Sequence, residues 1–269
     1  MNLYETISPA SKKKKSGSRK KHSILLVHGA WHGVWCWEEH FVPYFKKLGY
    51  DVYALSLRGH GKSQNKGQLR WTSIGDYVND IEEFLKEIPD PPIVIGHSMG
   101  GLIVQKLLER RNFPAAILLA PVPVHGVSRF ALEFFTKHPI QVLKVIGNLS
   151  LFPVISETKI SKDILFSPNL SEEKAMEYCA RLQDESYLAF LGMIAFSLPN
   201  PEKIKTPIKV LAGEKDKLFP LWEIKRTAKA YRTEPIVFPE MGHELMLDAG
   251  WESVANAIDT YIQSVPLNS

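Results

Sequence analysis

From residue 23 onward, short apolar runs alternate with longer stretches whose apolar positions recur at helical spacing. Residues 24–27, 52–57, 93–95, 116–119, 208–211 and 235–238 read as strands. Residues 37–48, 74–88, 101–111 and 222–231 read as helices between them, and 251–264 as a last helix. Strands that alternate with helices predict β-α-β units and an α/β fold, a mostly parallel sheet flanked by helices. The strand runs are short and apolar throughout, which suits burial on both faces.

The alternation stops between residues 122 and 200. Phe130, Phe134, Phe135, Val142 and Ile146, then Met176, Tyr178, Phe190 and Met193, keep helical spacing with no strand among them. A helical insertion between two parallel strands lies over one end of the sheet, and sites in open α/β folds form at the carboxyl end. The organisation read from the sequence is therefore a tail over 1–22, an α/β core over 23–121 and 201–269, and a helical cap over 122–200.

Charge adds one refinement. Residues 1–22 carry seven Lys and Arg against Glu5, a surplus of +6, while the chain of 269 residues totals only +4, so the body is slightly acidic. The Lys/Ser/Gly-rich run 11–21 reads as a disordered, solvated tail, with weak attraction to an anionic surface as its functional alternative. Nothing places basic residues on a folded face, so nucleic acid is not an expected partner. No apolar run reaches membrane-spanning length, and no apolar signal segment follows the basic residues. Cys36 and Cys179 form no metal-type spacing and read as free thiols, which points to the cytoplasm. No motif sets an oligomeric state.

The chemistry starts at Gly96-His97-Ser98-Met99-Gly100-Gly101, which follows an apolar strand and opens a helical run. A serine on a tight strand-to-helix turn projects its hydroxyl into the cleft, and the glycines around it remove side chains that would clash. The helix behind it offers free N–H groups and a positive dipole end. Such a serine needs a base, and the base needs an orienting carboxylate, in the chain order Ser, acid, His. His243 is the only one of nine histidines late in the chain. Two acids follow the strand at 208–211. Asp216 is preferred because it is far enough along the loop to turn back, and Glu214 is the rival. Met99 supplies one oxyanion N–H and Ala30, after Gly29, the second. Asp248 follows His243 too closely to orient it and reads as decorating the approach to the last helix.

Other motifs read as structural. His28 and His32 lack a carboxylate or thiol at metal-ligand spacing, so no metal is expected and they read as loop hydrogen-bonders. Leu57-Arg58-Gly59-His60-Gly61-Lys62-Ser63 lacks the first glycine of a phosphate loop and reads as a strand-to-helix loop.

These motifs, with Gly213-Glu214-Lys215-Asp216 and Met241-Gly242-His243, resemble the α/β-hydrolase superfamily over residues 23–264. The resemblance implies Ser98 as nucleophile, Asp216 as acid, His243 as base, Ala30 and Met99 as oxyanion donors, and no cofactor. It also implies two antiparallel strands at the start, for which little room exists before Ser23, and so a shortened sheet. The stretch from His28 to Trp37 looks like the plant methylesterase and hydroxynitrile lyase branch. Arg58-Gly59-His60-Gly61 looks more like bacterial esterases, lipases and thioesterases. The leading expectation is a serine esterase acting on a small, apolar or lipid-like carboxylic ester, with Trp31 against the substrate. Thioesterase, C–C hydrolase or hydroxynitrile-lyase-like chemistry would use the same triad, and a non-catalytic receptor would use only the fold.

Overall fold

The computed structural model describes residues 5–8, 21–64 and 66–266. Its first half runs β1 (Glu5–Ser8), β2 (Ile24–Val27), α1 (Trp35–Glu38), α2 (Phe41–Lys47), β3 (Val52–Leu55), α3 (Ile74–Phe84), β4 (Ile93–His97), α4 (Met99–Leu108) and β5 (Ala116–Leu119). The insertion follows as α5 (Ser128–Lys137), α6 (Pro139–Asn148), α7 (Phe152–Ile155), α8 (Thr158–Leu165), α9 (Glu172–Ala180) and α10 (Tyr187–Leu191), with a π-helical turn at Gly192–Phe196. The chain then returns to the sheet through β6 (Ile208–Gly213), α11 (Leu221–Ala230), β7 (Ile236–Phe238) and α12 (Trp251–Ser264).

The strands form one sheet in the order β1-β3-β2-β4-β5-β6-β7, with β2 to β7 all parallel. Every residue of β2, β4 and β5 is buried, as strands covered on both faces require, and His97 at the end of β4 is the one polar side chain among them. The chain steps from β2 to β3 on one side and then to β4 on the other, so strand order reverses between β2 and β4. A crevice opens outside the carboxyl ends of strands at such a reversal. Val27 pairs with Gly96 across it, so the loops after β2 and β4 leave the sheet at one level.

Two departures from the sequence reading have simple causes. Residues 37–48 form two helices, because Pro43 in a continuous helix would deny the Glu39 carbonyl its donor and clash with it. At the third position of α2 the missing N–H costs nothing. The second departure lies in the segment expected as a tail. Residues Glu5–Ser8 form β1, an antiparallel edge strand on β3, so the sheet gains one of the two leading strands. Lys21 donates its Nζ to the Leu48 carbonyl at 2.8 Å and sits over the Tyr50 ring. Residues 9–20, with five of the six lysines of that segment, lie outside the described residues.

The insertion is stitched to the core by buried polar groups. Glu185 accepts from His60 Nε2 at 3.0 Å and from the Tyr77 hydroxyl at 2.7 Å. Burial by itself lowers the His60 pKa, but Glu185 beside it reverses the balance and the pKa is raised. Gln183 bridges the Gly61 N–H and the Gly59 carbonyl. The glycine-rich loop over 57–63 is thus one anchorage of the insertion. Among the described residues, no helix is long and apolar enough to cross a membrane.

Candidate active site

Ser98 occupies the turn between β4 and α4, with φ 53° and ψ −118°. A non-glycine residue there is strained, and the surroundings hold it. Its N–H donates to the Leu119 carbonyl at 3.0 Å, and its carbonyl accepts from Val122 and Leu102. The packing leaves no room for a larger turn: a Cβ on Gly100 would lie 2.3 Å from the Val27 carbonyl oxygen. The first amides of α4, Met99 among them, have no intrahelical acceptor and stand at the positive end of the helix dipole.

The loop after β2 closes on the same spot. A Cβ on Gly29 would come within 2.9 Å of the Ser98 Cβ. Ala30 and Trp31, the next two residues, line one cavity together with Ser98. Trp31 takes a left-handed φ of 66° and its carbonyl accepts from Gln183 N–H at 2.9 Å, so the insertion helps to hold this loop. His28 bonds the backbone of Gly29 and Leu57, and His32 bonds the carbonyl of Ala30.

His243 and Asp216, far apart in sequence, meet: Nδ1 of His243 is 2.8 Å from Asp216 Oδ2, with both side chains buried. The other carboxylate oxygen, Oδ1, accepts from the N–H groups of Leu218 and Phe219 at 2.8 and 2.9 Å. Glu214, the rival acid, is exposed and faces Lys215 and the Glu240 N–H. Burial alone lowers the His243 pKa, but the charge and hydrogen bond of Asp216 raise it above 6.5. Two contacts bring the His243 ring to the serine's side of the sheet. It packs 4.8 Å from the ring of His97, the neighbour of Ser98, and edge-on to Phe219 at 5.2 Å. Phe219 also lines the cavity that holds Ser98.

That cavity measures about 270 Å³. Its walls are almost wholly apolar, with Phe130, Phe134, Val145, Leu151, Phe190 and Met193 of the insertion facing Ala30 and Ser98 of the core. Leu218 and Phe219 complete it from the acid loop, a contribution that the sequence reading missed; the apolar pair directly after Asp216 was the available signal. Asp248 has a second role beyond the one expected from the sequence. At the approach to α12 it accepts from the Ala249 N–H at 2.8 Å, and it also accepts from the Gly242 N–H at 2.7 Å and the Ser167 hydroxyl at 2.6 Å, which pins the His243 loop. His97, His243 and Glu244 bring metal-ligating atoms within 4.8 Å of one another. In that group His97 Nε2 already donates to the His243 carbonyl and His243 Nδ1 to Asp216.

Known proteins are similar to this chain in sequence or in fold. Methylesterase 2 of Arabidopsis thaliana is 30% identical over 127 residues, 46% of this chain and 44% of that protein. Methyl jasmonate esterase 1 of Vitis vinifera is 35% identical over 104 residues, 38% of each. The chain thus matches less than half the length of either relative. Among solved structures, the monoacylglycerol lipase of Paleococcus ferrophilus superposes with a TM-score of 0.74 at 21% identity, covering 99% of this chain and 100% of that one. This last likeness is one of fold. The profile of the alpha/beta hydrolase family matches residues 24–257. With that span matched and the sheet order as described, the chain belongs to the α/β hydrolase family.

Proposed function

We propose that the protein hydrolyses an apolar carboxylic ester, a small molecule, through an acyl-enzyme on Ser98. The observation that carries this reading is the apolar cavity with Ser98 in its wall. Ligand sites are mostly apolar with a few placed polar groups, and here the strained serine turn is such a group. The relatives named as methylesterase and methyl jasmonate esterase point to ester chemistry as well.

In this mechanism Ser98 Oγ attacks the ester carbonyl while His243 Nε2 takes its proton. Asp216 holds the Nδ1–H and stabilises the imidazolium. The N–H groups of Ala30 and Met99 donate to the tetrahedral oxyanion. The carbon–oxygen bond to the alcohol then breaks, and His243 returns the proton to the leaving oxygen. A water, deprotonated by the same imidazole, attacks the acyl-enzyme, releases the acid and restores Ser98. The apolar part of the substrate lies along Phe130, Phe134 and Val145, with Trp31 at the mouth of the oxyanion loop. The insertion acts as a cap that removes this part from water.

The test is a p-nitrophenyl ester series from acetate to octanoate. The expected kcat/KM rises on the order of 10-fold along the series, as methylenes enter the cavity. Ser98→Ala should abolish turnover while the protein still unfolds cooperatively. A sharp preference for acetate would sink the apolar-substrate reading. Turnover that survives Ser98→Ala would sink the acyl-enzyme.

A further inference from the structure

Behind the reacting face lies a group of buried polar atoms that the mechanism does not use. His32 Nε2, His97 Nδ1 and Glu244 Oε2 are all buried and lack hydrogen-bond partners among the described residues. Native interiors rarely leave such groups unmatched, so their hydrogens need to be placed. His32 Nδ1 is 2.7 Å from the Ala30 carbonyl oxygen, which can only accept; Nδ1 therefore carries the hydrogen. In a neutral ring Nε2 is then a bare lone pair, and it faces Glu244 Oε2 at 3.5 Å. An ionised carboxylate would oppose lone pair to lone pair. A protonated one supplies the missing hydrogen.

We propose that Glu244 is a positioning residue whose carboxyl group, holding its proton, donates to His32 Nε2 and so ties the base loop to the oxyanion loop. This inference rests on the acyl-enzyme reading of Ser98. The connections form a circuit. His32 holds the carbonyl of Ala30, a proposed oxyanion donor. Glu244 holds His32 and is the chain neighbour of His243. His97, the chain neighbour of Ser98, donates Nε2–H to the His243 carbonyl at 3.1 Å. Nucleophile, base and oxyanion loop are thus joined through one hidden layer of side chains.

Burial favours the same placement of the proton. It pushes Glu244 up to about 8, helped by the charges of Asp216 and Asp248 and opposed by His243. It pushes His32 down to about 4. The groups that face Glu244 are His32 after β2, His97 at the end of β4, Asp216 after β6, and His243 and Asp248 on its own segment. Cys36 of α1 and Cys179 of α9 also sense its charge, and burial raises both thiols. When the pH passes about 8 the proton leaves, the bond to His32 is lost, and a buried anion appears beside His243.

The experiment compares kcat and KM for an ester substrate from pH 5 to 10 in the wild type, Glu244→Gln and Glu244→Leu. The side-chain carboxyl of Glu244 is titrated in parallel by carbon NMR, which reads the inference independently of turnover. Glutamine can donate to His32 but cannot ionise. Glu244→Gln should keep kcat within about threefold at pH 7 and lose the alkaline decline, whereas Glu244→Leu should lose roughly 10- to 100-fold in kcat with KM little changed. The NMR signal that disappears in Glu244→Gln should report a protonated carboxyl at pH 7. A carboxylate there, an alkaline limb unchanged in Glu244→Gln, a Glu244→Gln enzyme as slow as Glu244→Leu, or a Glu244→Leu enzyme with wild-type kcat would each overturn the proposal. If Glu244→Leu fails to fold, the glutamine profile and the titration still decide it. Absence of any esterase activity in the wild type would instead remove the reading of Ser98 and leave the carboxyl titration as the test.

Discussion

The sheet and the helical insertion spend similar apolar side chains on different tasks. In β2, β4 and β5 every residue is buried, and the apolar surface is used up in packing. In α5 and α6 only Phe134 and Val145 are buried, while Leu132, Ile140 and Leu143 stand 66%, 63% and 69% exposed. The inward side of these helices faces the cavity rather than a solid core. Hydrophobicity in the first region specifies the fold, and in the second it lines an open cavity. Stability and function should therefore respond to substitution in opposite places.

The largest expected separation is catalytic. Asp216→Asn should leave the fold intact and slow turnover on the order of 10⁴-fold, because the amide favours the wrong histidine tautomer. Single-turnover kinetics would measure it, and near-wild-type rates would point away from Asp216. Next comes the contrast in packing. Leu26→Ala, in the middle of β2, should cost about 2–5 kcal/mol in denaturant unfolding through lost burial and a cavity. Leu143→Ala, on the outward side of α6, should cost less than about 0.5 kcal/mol. Equal effects would erase the distinction between the two regions. A smaller effect is expected inside the cavity. Val145→Phe should lower kcat/KM for octanoate roughly 10-fold and leave acetate nearly unaffected, since only the long chain needs that space.

The smallest shift is in pH. The His243 pKa is raised, so the imidazolium form persists above 6.5 and the acidic limb of kcat/KM should lie above that value. Asp216→Asn removes the charge that raises it, so the residual activity should show a limb moved to lower pH. The stability contributed by this pair is full below pH 6.5 and is lost as the pH rises through the raised folded value, so the wild type should lose more stability than Asp216→Asn over that window. A limb that stays in place would separate Asp216 from the base.

Much of the core was legible because its signals are local. The runs 24–27 and 116–119 and the helix 251–264 appear in the structure with the same bounds, since a short apolar run between turns, or a helical period with a clear stop, leaves few alternatives. The serine turn was legible for the same reason: glycines beside a serine between strand and helix mark a backbone that only that turn needs. The break before α2 could have been read from Pro43. Expecting Asp216 rather than Glu214 beside His243 had a weaker basis, because its carboxylate is oriented by the amides of Leu218 and Phe219, which converge on it only once the loop is folded. The layer of His32, His97 and Glu244 was not legible. Its members come from three separate segments, and their pairing depends on tautomers set by backbone carbonyls. The layout of α5 to α10 was open as well, since helical spacing fixes no packing partner when the inner face borders a cavity.

The most direct test of the central claim is intact-mass and peptide mapping after reaction with a fluorophosphonate probe. The expected result is one phosphonyl adduct per chain, located on Ser98, formed quickly in the wild type and much more slowly in His243→Ala. An unlabelled but folded protein, or an adduct on another residue at the same rate in both proteins, would contradict it.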